Sequence, residues 1–307
     1  MTLHQSATAV VMIRPHRFFS NPETAADNAF QRETAAEDAE RISHRAQKEF
    51  NDAVQSLRGA GVTVHVFDDT ATPEKPDAIF PNNWFSTHED GRIVLYPMYS
   101  PARRRERRGD IIDALRENYR VTEVIDYSDY EGHDRFLEGT GSLVLDHPNH
   151  IAYVSLSKRS DRELVERFCT DFGYEPVAFE SATNDGRPIY HTNVMLCVGS
   201  TFALAGLETI TDSLARKKVH DRLQATGKDV IELSREQIEN FAGNALELHG
   251  TKQKLLVLSE RAAASLSPGQ RATIERGAKI LPLSLPTIEL AGGSARCMLA
   301  EIFLPLR

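Results

Sequence analysis

The chain has 307 residues, 41% of them hydrophobic and 26% charged, and its 36 basic and 44 acidic residues leave a net charge of −8. That is ample apolar material for a core, and the acidic balance argues against a nucleic-acid or anionic-membrane partner. Three widely spaced cysteines, Cys169, Cys197 and Cys297, disfavour a disulfide framework or structural zinc site and suit a reducing compartment; the short apolar stretch 7–13 has no cationic segment before it, so a cytoplasmic protein without signal peptide or membrane anchor is expected.

Along the chain, residues 9–13 read as a strand. Ile42, Ala46, Phe50, Val54 and Leu57 then fall on one face of a long amphipathic helix, with Gly59-Ala60-Gly61 as its C-cap and a second strand at 62–67. Paired apolar runs follow at 79–86 with 93–98, 142–145 with 151–156, and 191–198 with 201–205. Their connections, Glu89-Asp90-Gly91, Pro148-Asn149 and Gly199-Ser200, are hairpin-like. The last runs are 254–258 and 296–303, and helices are expected near 104–118, 160–171, 211–225, 235–241 and 269–277. The pattern is an α/β chain with roughly five strand-rich units; it has no low-complexity linker, so residues 1–307 are expected to form a single domain. No repeat is legible residue by residue.

The chemistry starts from Cys297, in Ala291-Gly292-Gly293-Ser294-Ala295-Arg296-Cys297-Met298. Glycines let the backbone approach a ligand closely, and the cationic neighbour Arg296 is expected to favour the thiolate; the plainer alternative is a buried small hydrophobe. A thiol nucleophile needs an imidazole partner and a carboxylate to hold it. His191 opens the run 191–198 directly after Gly186-Arg187-Pro188, where it can point into a site, although a capped surface histidine is the ordinary alternative. Glu138 lies in Phe136-Leu137-Glu138-Gly139-Thr140-Gly141-Ser142, with two glycines opening the next strand, and alone would be a solvated glutamate. The arginine-rich run 103–108 reads as a solvated helix start interrupted by Glu106, and one of its arginines would suit a substrate carboxylate. His147-Pro148-Asn149-His150 is a turn rather than a metal site; Cys169 and Cys197 read as packing residues, and Phe80, Trp84 and Phe85 as core or channel lining.

In chain order, Phe80-Pro81-Asn82-Asn83-Trp84-Phe85, Leu137-Glu138-Gly139-Thr140-Gly141-Ser142, His191 and Cys297-Met298 resemble the guanidine-modifying, or pentein, superfamily of arginine deiminases, dimethylarginine dimethylaminohydrolases and amidinotransferases. The likeness runs from about residue 8 to 304 and is greatest to the citrulline-utilisation hydrolase branch. It implies a five-bladed, pseudo-symmetric ββαβ propeller with its site in the central channel. It further implies Cys297 as nucleophile, His191 as general acid/base and Glu138 as orienting acid, with Asp77, Phe80, Asn83, Asn193 and Asn244 about the substrate. No metal or organic cofactor is implied. The expected partner is a small amino-acid substrate, and a homo-oligomer is left open.

The departures from the superfamily pattern bear on the substrate. Arginine-processing members carry Asp where this chain has Asn83, and deiminases carry His-x-Asp where it has His191-Thr192-Asn193. A guanidinium offers only N–H donors and a positive charge, which a carboxylate suits; a ureido group offers a carbonyl acceptor, which an amide NH2 suits. The substitutions therefore point to citrulline, although succinylarginine dihydrolases resemble this site with an asparagine and use a guanidinium. Asn82 and Asn83 could equally form an Asx turn. The other readings are a guanidino hydrolase, a deiminase, an amidinotransferase, or a non-catalytic binding protein on the same fold.

Overall fold

The computed structural model describes residues 4–32 and 39–307. Its first sheet combines β1 (Ala9–Arg14), β2 (Thr63–Asp68) and the last strand of the chain, β15 (Ala300–Ile302). The second holds β3 (Phe85–Thr87), β4 (Arg92–Leu95) and β5 (Glu123–Asp126), and the third β6 (Val144–Asp146), β7 (Ile151–Ser155) and β8 (Glu175–Phe179). The fourth holds β9 (Leu196–Val198), β10 (Phe202–Ala205) and β11 (Asp229–Glu232), and the fifth β12 (Leu246–His249), β13 (Lys254–Ser259) and β14 (Lys279–Leu283).

All five sheets share one construction. A short strand pairs antiparallel with the middle strand, and the middle strand pairs parallel with a third strand reached through a helical crossover. The crossovers are α1 (Ala39–Gly59), α2 (Pro101–Arg104) with α3 (Gly109–Asn118), α5 (Arg162–Phe172), α6 (Ser213–Ala225), and α8 (Glu260–Ser265) with α9 (Pro268–Glu275); two further short helices are α4 (Gly139–Ser142) and α7 (Arg235–Glu239). This is the five-bladed ββαβ arrangement that the resemblance implies. The ring closes because β15 pairs with β1, matching Ala9 with Ile302 and Val11 with Ala300.

Burial within a blade follows composition. The residues of β3, β6, β9 and β15 are all buried, whereas the third strands β5 and β11 carry Glu and Asp at their ends and are partly exposed. The short first strands pack on one another, β15 on β3, β6 on β9 and β9 on β12, so they face the middle of the molecule. Apolar side chains fill the spaces between neighbouring blades. The predicted face of α1, with Ile42, Ala46, Phe50, Val54 and Leu57, packs with Val10, Met12 and Val64 of its own sheet and with Leu255 and Val257 of the fifth.

Three expected strands are shorter than the sequence suggests. The runs 79–86, 191–198 and 296–303 each break into a 3-10 turn, at Pro81–Asn83, Thr192–Val194 and Ala295–Met298, followed by a strand of three residues. The helix expected at 104–118 begins only at Gly109, as α3; residues 105–108 are not helical, and the short α2 lies before them. Among the described residues no helix is long and apolar enough to cross a membrane.

Candidate active site

Each first strand is entered through a tight turn or a short helix, and those entries carry the candidate site residues. Asn83 ends the turn before β3, Glu138 precedes α4 and β6, His191 precedes the turn before β9, Asn244 lies two residues before β12, and Cys297 lies in the turn before β15. The turn at Pro81–Asn83 packs on α4 and on the turn at Ala295–Met298, and α4 packs on the turn at Thr192–Val194. Residues more than 200 positions apart in sequence thus share one narrow cleft, lined by Asp77, Phe80, Asn83, Arg103, Arg159, Tyr190, His191 and Cys297 with Thr24, Asn28, Ala291 and Gly293.

His191 is 1% exposed, and its Nε2 lies 2.8 Å from Glu138 Oε2. Burial works against ionising Glu138, but Arg159, the hydrogen bond to His191 and Arg103 outweigh it and hold the carboxyl well below its usual range. Arg159 Nη1 is 3.5 Å from Oε2 and Arg103 Nη1 is 3.7 Å; the Tyr99 backbone N–H donates to Oε1 at 3.0 Å. A carboxylate only accepts, so Nε2 carries the histidine proton and Nδ1 holds the free lone pair. Nδ1 is buried without a partner, and burial pulls the imidazole below its ordinary pKa despite Glu138.

Cys297, 3% exposed, receives two amide donors: Asn244 Nδ2 at 3.3 Å and Asn193 Nδ2 at 3.5 Å. The Arg296 backbone N–H donates to Asn244 Oδ1 at 3.1 Å, so that amide must turn its NH2 to the sulfur. Arg296 does not supply the expected cation. Its guanidinium donates to Leu299 O at 2.8 Å and pairs with Glu301 at 2.8 Å, because a buried charge needs a carboxylate of its own.

Asn83 is oriented in the same way. Arg103 Nη1 donates to Asn83 Oδ1 at 2.8 Å, and Arg has no acceptor, so Asn83 leaves Nδ2 as its unpartnered end. That Nδ2 and His191 Nδ1 flank one spot beside Gly141, where a Cβ would lie 2.4 Å from the first and 2.7 Å from the second. Neither Asn82 nor Asn83 forms the Asx turn weighed from sequence. Both side-chain polar atoms of Asn82 are buried without a partner.

Asp77, 4% exposed, accepts from Asn21 Nδ2 at 2.8 Å and sits 3.7 Å from Arg103 Nε; burial raises its pKa more than these contacts lower it. Phe80 lines the cleft, whereas Trp84 and Phe85 lie in the core between the first two blades. Cys169 and Cys197 are buried, and burial pushes both thiols up to about 12.

The run 103–108 is not a solvated helix start at its first arginine. Arg103 is 2% exposed, with Nε and Nη2 on Glu106 at 3.0 and 2.9 Å. Burial pushes the Glu106 carboxyl up to about 7 against the pull of Arg103. Asn21, Asp27, Arg159 and Tyr190 escaped the sequence reading altogether. Arg159 lies in Ser157-Lys158-Arg159-Ser160, a polar tetrapeptide that looks like any surface loop, yet it is 2% exposed with its guanidinium 4.7 Å from the Tyr190 ring centroid.

No protein of curated function matches the chain by sequence. Among solved structures, the N-terminal domain of ArgZ, an arginine dihydrolase from the ornithine-ammonia cycle in Cyanobacteria, is 18% identical, with a TM-score of 0.72 over 96% of this chain and 99% of that one. Unliganded AgrE is 17% identical, with a TM-score of 0.75 over 97% of this chain but 40% of its own. A dimethylarginine dimethylaminohydrolase, as an adduct with S-methyl-L-thiocitrulline, is 13% identical, with a TM-score of 0.64 over 96% of this chain and 99% of that one. These likenesses show the fold. The family model described as N,N dimethylarginine dimethylhydrolase, eukaryotic, matches residues 14–304, and the chain therefore belongs to that family, within the guanidine-modifying or pentein superfamily.

Proposed function

We propose that the protein is a cysteine-dependent hydrolase that cleaves citrulline at its ureido carbon, releasing ornithine through an S-carbamoyl-cysteine intermediate. The observation that carries this reading is the orientation of Asn83. Its Nδ2 is the unpartnered end, so the amide presents a donor rather than an acceptor. A ureido group meets that donor with its carbonyl oxygen. A guanidinium would set N–H against N–H at Asn83.

The steps follow from the protonation states. His191 Nδ1 takes the Cys297 thiol proton, and the sulfur, facing the Asn193 and Asn244 amides, attacks the ureido carbon. Charge developing on the oxygen is met by N–H donors such as Asn83 Nδ2. The C–N bond to the δ-nitrogen breaks, His191 returns the proton to that nitrogen, and ornithine departs. Water then gives a proton to His191 and its oxygen to the carbonyl carbon. The C–S bond breaks, the thiol is restored, and carbamic acid decomposes to CO2 and ammonia. Glu138 holds His191 in the required tautomer throughout.

A second reading, hydrolysis of a guanidino compound such as arginine, is favoured by Asp77, a buried carboxylate on the cleft wall, and by ArgZ being described as an arginine dihydrolase. An assay of citrulline, arginine, agmatine, methylated arginines and succinylarginine, read out for ammonia and each amine product, separates the readings. Ornithine and ammonia from citrulline, lost in Cys297→Ala without unfolding, is the expected result. Citrulline accumulating from arginine would mean a deiminase, a requirement for an acceptor amine an amidinotransferase, and no turnover of any compound a binding protein.

A further inference from the structure

Arg103 holds Asn83 with one corner of its guanidinium and is itself held by the opposite edge. Nη1 donates to Asn83 Oδ1 at 2.8 Å, while Nε and Nη2 donate to the two carboxylate oxygens of Glu106 at 3.0 and 2.9 Å. Nη2 also donates to Phe80 O at 3.3 Å. Glu106 is 1% exposed and lies in the turn that follows α2, where its backbone N–H donates to Arg103 O at 3.0 Å; it does not line the cleft. The hydrolytic steps give this buried carboxylate no task.

Two other carboxylates compete for the same guanidinium. Asp77 Oδ2 is 3.7 Å from Nε and Glu138 Oε2 is 3.7 Å from Nη1, both too far for a hydrogen bond. A buried guanidinium turns toward whichever carboxylates fill its donors, and a bidentate carboxylate is the strongest of these partners. Glu106 therefore decides which way Arg103 faces. Arg103 in turn decides the Asn83 amide: a guanidinium has no acceptor, so it takes Oδ1 and leaves Nδ2 unpartnered.

We propose that Glu106 is a positioning residue that selects a ureido over a guanidino ligand, by fixing Arg103 and through it the orientation of the Asn83 amide. The proposal rests on the reading that Asn83 meets the terminal group of the substrate. In Glu106→Gln the side-chain oxygen serves one of the two N–H groups on the edge of Arg103, and the NH2 confronts the other, donor against donor. Arg103 then turns toward Asp77 and Glu138, its bond to Asn83 Oδ1 is lost, and the Asn83 amide is free to rotate. Rotated, it presents Oδ1 as an acceptor, which suits the N–H groups of a guanidinium and opposes the carbonyl oxygen of a ureido group.

The test is calorimetric titration of L-citrulline and of L-arginine into Cys297→Ala protein, which lacks the nucleophile, with and without Glu106→Gln. The titrations run at about pH 8, above the value of about 7 to which burial raises Glu106, so that the parent carries the carboxylate. The two ligands share their amino-acid end, so the ratio of their affinities reports the terminal group alone. Glu106→Gln is expected to shift that ratio toward arginine by at least about tenfold, the scale of one mispaired polar contact. An unchanged ratio, with both affinities kept or weakened in parallel, or a shift toward citrulline overturns the proposal and leaves Glu106 a structural partner of Arg103. Melting temperatures check the fold. Should Glu106→Gln not fold, Glu106→Asp, which keeps the charge but falls one methylene short of the guanidinium, shifts the ratio in the same direction. Product analysis of the wild type tests the substrate reading separately: a protein that hydrolyses arginine and leaves citrulline intact, yet shows the shifted ratio, sinks that reading alone.

Discussion

At the scale of single residues, the site depends on side chains whose orientation another group dictates. Arg103 turns Asn83, the Arg296 backbone turns Asn244, and Glu138 selects the tautomer of His191. Gly141 makes room for the result, since any side chain there collides with both Asn83 Nδ2 and His191 Nδ1. Gly141→Ala is therefore expected to reduce kcat/KM by at least about 10²-fold, the scale of loss for a misplaced reacting group, in protein that stays folded but melts lower because a buried site is overpacked. Near-wild-type turnover would show that neither atom takes part. This glycine was legible only as part of a motif, because the reason for it, two polar atoms from other blades, is absent from its neighbourhood in sequence.

At the scale of elements, periodicity was a dependable guide wherever one face is buried. The steps from Ile42 to Leu57 place α1 correctly, since a helix over a sheet must present an apolar stripe. Phe50 lies in that stripe and is fully buried; Phe50→Ala is expected to cost about 3–5 kcal/mol, read as a lower urea midpoint. The same reasoning missed β12 and the third strands β5, β8, β11 and β14, and it overextended three others. Of the missed strands, β5 and β11 are short and bear acidic ends at the rim, so they lack the apolar run that marks a strand. The stretches before β3, β9 and β15 are apolar because they are buried in the middle of the ring, and burial alone does not distinguish a turn from a strand.

At the scale of the whole molecule, stability is shared across the interfaces between blades. His88, at the end of β3, accepts or donates to Ser86 Oγ at 2.9 Å and packs against Phe168 and Phe172 of α5 in the next blade. Burial lowers its pKa to about 3, so between pH 6.5 and 3 the unfolded chain binds a proton that the folded chain refuses, and acidification destabilises the fold. Glu106, raised to about 7, acts in the opposite sense, its share of stability being lost as the pH rises from 4.5 to 7. Comparing His88→Gln with wild type cancels that term. The wild type should lose about 2 kcal/mol more than the variant between pH 7 and 5 in urea unfolding; parallel losses would show that His88 titrates freely.

The sequence by itself determined the α/β class, the rough count of five units and the positions of the long helices, and it singled out Cys297, His191 and Glu138 as candidates, of which Cys297 and His191 line one cleft and Glu138 pairs with His191; these rest on local periodicity and on motifs in a recognisable order. Only the tertiary structure decided what each group faces. It gave Arg296 to Glu301, placed Arg103 and Arg159 in the cleft, and laid Asp27 on Arg159. Those pairings join residues from different blades or from the segment preceding α1. A buried charge takes whichever partner the fold brings within a few ångströms, and spacing along the chain carries no record of that choice.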